Sequence, residues 1–251
     1  MLPIVSLAII SLLSGIALLW VFSRTVDPDK VRAARRLVWA HLMEIRLYTD
    51  EPLLIWRAHR DLVVANFRYL SLMLRPVLIS TIPMLLLLAN LESFYGRSPL
   101  APGQEAVVTM RLKAPLDPNA AAPGLQASSE IDVETPGVRE PAAGQVSWRI
   151  RGTRAGSGRL DLALADGVVS KSVEVGDGLR YMAERRVSSI LEYLWNPGER
   201  LLSSSTVDWI EIRYPSALVS GFGLEMHWLV WFTLISMISM LALKGRFNAA
   251  F

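Results

Sequence analysis

Three apolar runs divide the chain. The first, Leu2 to Phe22, holds no charge, and the second, Pro76 to Tyr95, centres on Leu85-Leu86-Leu87-Leu88. The third runs from Met226 to Leu243 between Glu225 and Lys244. At about 1.5 Å per residue, each suffices to approach or cross a hydrocarbon core of roughly 30 Å. The pattern predicts three transmembrane helices at 1–23, 76–95 and 226–243. No basic residue precedes the first run and no small-x-small site follows it, so it reads as an anchor rather than a cleaved leader. Pro76 suits a first helical turn, and Pro83 predicts a kink in the second span. Trp228 and Trp231 read as an interfacial belt.

Between the first two runs the polar pattern is helical. Asp27-Pro28 reads as a cap with Pro at the first position. Val31, Ala34, Val38, His41 or Leu42, and Ile45 recur at helical spacing, as do Ile55, Ala58, Leu62, Ala65 and Tyr69 after Asp50-Glu51-Pro52. Region 24–75 is therefore a helical hairpin turning near 48–51. Its outer face carries Arg32, Arg35, Arg36, Arg46, Arg57, Arg60 and Arg68, candidates for contact with anionic lipid, a ribosome or an acidic partner.

Beyond the second run the period becomes two. Val108, Met110 and Leu112 alternate with Val107, Thr109 and Arg111; Val146, Trp148 and Ile150, and Leu160, Leu162 and Leu164, behave likewise. Asp166-Gly167 is a hairpin turn, Ile131 and Val133 mark another strand, and Val173 and Val175 close the set. Region 96–178 is expected to form an antiparallel β-sandwich of about six strands, with 114–128 a loop. Region 179–225 reads as a helix over 180–195, lying on the membrane or packed under the sandwich, then a linker at Ser203-Ser204-Ser205 and a strand over Val207–Tyr214.

Orientation follows from the basic residues. Segment 24–75 carries ten Lys/Arg in 52 residues, and 97–225 carries fourteen in 129. The denser loop belongs inside. The N-terminus is then outside, the β region outside, and the tail 244–251 inside, in a bacterial inner membrane.

Composition narrows the chemistry. Hydrophobic residues are 52% of the chain beside 20% charged ones, which excludes a disordered chain and fits bunched apolar runs. Without Cys there is no disulfide framework, thiolate zinc site or Cys nucleophile. A net charge of +3 gives no argument for DNA. His41, His59 and His227 do not have metal-site spacing, and no nucleophile elbow, phosphate loop or dinucleotide fingerprint occurs. No catalytic residue, metal or cofactor is expected. The spans offer hydroxyls instead, and Ser11 with Gly15 makes a small-xxx-small patch for close helix packing. Ser80 and Thr81, one turn before Pro83, are placed to satisfy the carbonyl that Pro83 frees.

An N-out span, a charged cytoplasmic hairpin and a span carrying Arg75-Pro76-Val77-Leu78-Ile79-Ser80-Thr81-Ile82-Pro83 resemble the YidC/Oxa superfamily of membrane-protein insertases. The resemblance is closest to the archaeal YidC-like proteins and related endoplasmic-reticulum subunits. His227-Trp228-Leu229-Val230-Trp231-Phe232 would open the third core helix, and the match covers a little under half of the 251 residues. It implies a groove near Arg75, Ser80, Thr81 and Pro83 that receives nascent membrane segments without covalent chemistry or cofactor. It also implies membrane proteins and the ribosome as partners; Ser11 and Gly15 by their small-residue spacing, and His227, Trp228 and Trp231 by their place at the start of the third run, are the candidate interface residues. The second expectation is an accessory subunit of a larger membrane complex, its β domain docking a periplasmic partner.

Overall fold

A computed structural model describes residues 3–47, 52–116, 123–164 and 166–246. Two compact units result: residues 1–85 with 229–251, and residues 86–228.

The first unit is helical. Helix α1 spans Pro3–Thr25, α2 Pro28–Leu47 and α3 Pro52–Leu91, while α5 (Trp228–Leu243) follows the short α4 described below. Helix α2 begins where Asp27 Oδ1 accepts the Asp29 and Lys30 N–H groups at 3.0 and 3.4 Å, as its cap position requires. The turn expected near 48–51 lies outside the described residues. Pro3–Thr25 and the apolar stretch of α3 are long and apolar enough to cross a membrane. Helix α5 has 16 residues and reaches only about 24 Å.

Pro76 lies inside a helix rather than in its first turn. Helix α3 runs unbroken for 40 residues through Pro76 and Pro83, about 60 Å. It joins the hairpin's second helix to the apolar run in one rod, because the helical stripe of 55–69 continues without a phase change into the apolar residues. Along α1, Leu7, Ser11, Ser14, Gly15 and Leu19 are buried on one face.

The second unit is an antiparallel β domain. A turn of π-helix, Glu92–Gly96, leads from α3 into β1 (Glu105–Leu112). Strands β2 (Gly124–Ala127), β3 (Ile131–Val133), β4 (Val138–Glu140), β5 (Gln145–Gly152), β6 (Gly156–Leu164) and β7 (Gly167–Val175) follow. After them come β8 (Arg185–Val187), α4 (Ile190–Trp195), β9 (Val207–Ile212), β10 (Val219–Gly221) and β11 (Leu224–Met226). One sheet has the order β3-β5-β1-β9-β8, with β4 also on β5; a second has the order β2-β6-β7; β10 and β11 form a separate hairpin.

A single core joins the inward faces of the two larger sheets. Val108, Met110, Val146, Trp148, Ile150 and Ile210 meet Leu160, Leu162, Val173 and Val175 there. Burying each such side chain is worth about 2 kcal/mol. A register shift sets Leu112 opposite Val207 after Arg111 opposite Trp209. The bulge at Asp208 lets Val207 and Ile210 both face inward despite their odd spacing.

Three expectations need correction. Strand β2 lies within 114–128, since Leu125 and Ala127 pack against the core although Pro and Ala surround them. The helix expected over 180–195 shrinks to α4. Met182 and Ala183 are buried in extended chain and Val187 belongs to β8, because an edge of β9 was open to pairing. The main sheet consequently continues beyond 178, with β9 beside the central β1.

Candidate functional site

The hairpin helices bury few positions. Val31 and Ala34 on α2, and Ala58 and Ala65 on α3, are shielded, with Val38, His41, Ile45, Leu62 and Tyr69 half-buried at intervals of three and four. A cleft of about 290 Å³ opens between Lys30, Ala33, Ala34 and Leu37 of α2 and Arg68 and Leu72 of α3. His41 faces inward and its Nδ1 lies 2.9 Å from Glu44 Oε2; His59 is exposed with its Nδ1 3.0 Å from Ile55 O. The two therefore do not share a face.

The outer surface is more than basic. Arg32 pairs with Asp29 at 3.1 Å and Arg60 with Asp61 at 2.9 Å, while Arg35, Arg36, Arg57 and Arg68 are exposed. Among them Trp39, Met43, Leu47, Leu53, Trp56 and Phe67 are exposed as well. On α3 these apolar residues form a line. At about 100° per residue, Trp56, Val63, Phe67, Leu74, Leu78, Thr81 and Leu85 fall on one stripe, and all are exposed. The buried Ala58, Ala65, Pro76 and Ser80 occupy the other side.

The four groove candidates do not converge. Arg75, Thr81 and Pro83 are exposed, whereas Ser80 is buried. The hydroxyls of Ser80 and Thr81 donate to Pro76 O at 2.8 Å and Val77 O at 2.7 Å. They miss the Ile79 carbonyl freed by Pro83, because a hydroxyl bonds most readily one turn back on its own helix.

The interface candidates separate into two places. Ser11 and Gly15 do mark a close helix contact: a Cβ at Gly15 would stand 2.1 Å from Ser239 Oγ and 2.8 Å from Ser236 O on α5. Ser11 and Ser14 donate their hydroxyls to Leu7 O and Ile10 O, leaving a smooth surface. Trp228 and Trp231 are buried, not an exposed belt. The Trp228 indole N–H donates to Glu92 Oε2 at 2.8 Å, and His227 lies beside the Trp228 ring at 5.9 Å. Arg97 extends the cluster, 3.6 Å from Glu92 and 2.9 Å from Glu184, whose carboxyl is raised by burial against the pull of Arg97.

Two polar sites in the β domain escaped the sequence reading. Lys171 is fully buried, its Nζ donating to Ala183 O and, at 2.5 Å, to Glu199 Oε1, which also accepts the Ser172 hydroxyl at 2.6 Å. Burial lowers the Lys171 pKa and Glu199 opposes it. Its parity was legible, since it shares the inward phase of Val169, Val173 and Val175 on β7. Asp166 Oδ2 accepts the hydroxyls of Ser204, Ser205 and Thr206 at 2.8–3.1 Å and two backbone N–H groups. The expected linker is thus tied to the β6–β7 turn. Both sites join chain segments that are distant in sequence.

No protein-family model matches this chain, and no curated protein or solved structure does. The chemistry of the site rests on its own residues. Among the described residues no cluster of His, Asp or Glu has the makings of a metal site.

Proposed function

We propose that this chain is a non-enzymatic membrane protein that assists insertion or assembly of other membrane proteins. It spans a bacterial inner membrane three times, N-terminus outside, with the hairpin in the cytoplasm. The observation that carries this reading is the exposed stripe of α3, Trp56-Val63-Phe67-Leu74-Leu78-Thr81-Leu85. It begins on a charged hairpin helix, where Trp56 is exposed, and continues on the same helix into the apolar run.

An apolar client segment gains about 2 kcal/mol for each large side chain it shields on the stripe. It exchanges one contact for the next along the rod without release into water. Arg57, Arg60 and Arg68 beside the stripe favour anionic headgroups, each by about 1 kcal/mol near the surface. Arg75 stands where the apolar run begins, with a stem long enough to keep its charge at the headgroups. No bond is made or broken, which agrees with the resemblance to insertases.

A photo-crosslinking residue at Trp56, Phe67 or Leu78, with Asn66 as an exposed position off the stripe, tests this. Pulse-labelled cells should give crosslinks to many newly made membrane proteins at the three stripe positions and few at Asn66. Crosslinks to one fixed partner in constant ratio would overturn the reading and make the chain an accessory subunit.

A further inference from the structure

Small side chains leave a gap in the hairpin. Val31 and Ala34 of α2 and Ala65 of α3 are buried. Ala33 and Ala34 carry only a methyl group each, and beside them the cleft of about 290 Å³ stays open. Leu37, Leu72 and the stems of Lys30 and Arg68 complete its wall. Its volume is near the lower bound of about 300 Å³ for small-molecule clefts.

Two cations share this cleft. Lys30 stands 17 residues before the last residue of α2, and Arg68 stands 16 residues after the first of α3. The hairpin therefore brings both to one level, about 25 Å along its helices. Lys30 Nζ lies 3.3 Å from Asp27 Oδ2 in an exposed pair, of the weak kind that another anion can replace. Asp27 still accepts the Asp29 and Lys30 N–H groups when the ammonium turns away. Arg32 and Arg60 are held by Asp29 and Asp61. Arg68 is exposed, and among the described residues no carboxylate pairs with it.

We infer that this cleft holds one anionic phospholipid, its phosphate between Lys30 and Arg68 and the start of its acyl chains on Ala33, Leu37 and Leu72. The occupant is amphiphilic because the cleft is. A free phosphate would leave the apolar wall unused, and a wholly apolar segment would leave the cations unused. The depth also fits. Helix α2 starts three residues after Thr25, the last residue of α1, and Leu72 stands about 6 Å before Pro76 along α3. The headgroup layer adds roughly 5–7 Å to each side of the hydrocarbon core, so the cleft opens at its level. The inference rests on the membrane reading above and uses a different face of α3. At about 100° per residue, Arg68 and Leu72 lie roughly 120–160° round the helix from the exposed stripe.

The test is native mass spectrometry of the full protein in mild detergent, with equal amounts of phosphatidylglycerol and phosphatidylcholine added. One phosphatidylglycerol should stay bound per chain, several-fold in excess of phosphatidylcholine. Lys30→Gln with Arg68→Gln should abolish that preference. Ala33→Leu fills the cleft, leaves both cations in place and should lower retention several-fold. All three positions are exposed, so the fold tolerates the changes. Arg35→Gln with Arg36→Gln removes as much charge outside the cleft and should leave the bound lipid in place. An equal loss in that variant overturns the inference, because the attraction would then be diffuse. So does full retention in Ala33→Leu, or a peptide mass in place of the lipid. Displacement by inorganic phosphate, but not by chloride of the same ionic strength, overturns it as well. Release of the native protein from membranes by alkaline buffer without detergent would bring down the membrane reading itself, and the inference with it.

Discussion

The indole of Trp228 holds the carboxylate of Glu92 at 2.8 Å. Glu92 follows the last residue of α3 and Trp228 is the first of α5, so one hydrogen bond fastens together the chain's way into the β domain and its way out. Trp228 is 2% exposed and Glu92 about a third. Trp228→Phe keeps the buried ring and leaves a shielded carboxylate short of a donor. It should lower stability by about 1 kcal/mol, and Trp228→Ala by about 4 kcal/mol through the added cavity. Thermal unfolding of the full protein in detergent, followed by circular dichroism, measures both.

At Gly15 the two helices touch with no room for a methyl group. Gly15→Ala should loosen the α1–α5 contact and lower the midpoint of thermal unfolding. Ser239→Ala, which removes the Oγ that the new Cβ would strike at 2.1 Å, should restore part of the loss. Restoration stays incomplete because the Ser236 carbonyl, 2.8 Å away, is backbone. Strict additivity of the two substitutions would refute the contact.

Lys171→Met strands the Glu199 carboxylate and the Ala183 carbonyl in a shielded place. A loss of about 3–5 kcal/mol is expected, as for other buried pairs broken on one side. Lys171→Met with Glu199→Gln should lose less than Lys171→Met alone. Denaturant unfolding of the three proteins checks the order.

Asp166 gives a pH signature. Hydrogen bonds from Ser204, and then from Ser205 and Thr206, pull its carboxyl from 3.8 to about 2. A folded pKa below the unfolded one means a contribution fully present above pH 3.8 and lost as pH falls through about 2. Amide exchange at Ser205 and Thr206, corrected for the intrinsic rate, should be steady from pH 7 to 5 and accelerate between about 4 and 2. In Asp166→Asn the acid-dependent rise should vanish, because no titrating acceptor remains.

Much of the architecture was legible because it depends on period. The 3.6-residue recurrence of Val31, Ala34, Ala58 and Ala65 and the alternation of Val108, Met110, Val146, Trp148 and Ile150 are local signals that burial later followed. Ser11 with Gly15 announced a close contact because only small side chains permit one. Less legible were the short pieces. Strand β8 and the short helix α4 after it look like one amphipathic helix in sequence, and only the open edge of β9 chose between them. Lys171 could be seen as inward by parity, but its partner Glu199 lies 28 residues away.

The sequence by itself determined where the apolar mass lies, which stretches are helix or strand, and which faces are apolar, since these follow from periodicity and local capping. Only the tertiary structure decided which face of α3 stays exposed, and that Trp228 is a buried clamp rather than a belt. It alone tied Ser204, Ser205 and Thr206 to Asp166 and left α4 uncovered. These depend on contacts between residues distant in the chain, where loop closure and competition for the same partners, rather than local pattern, set the outcome.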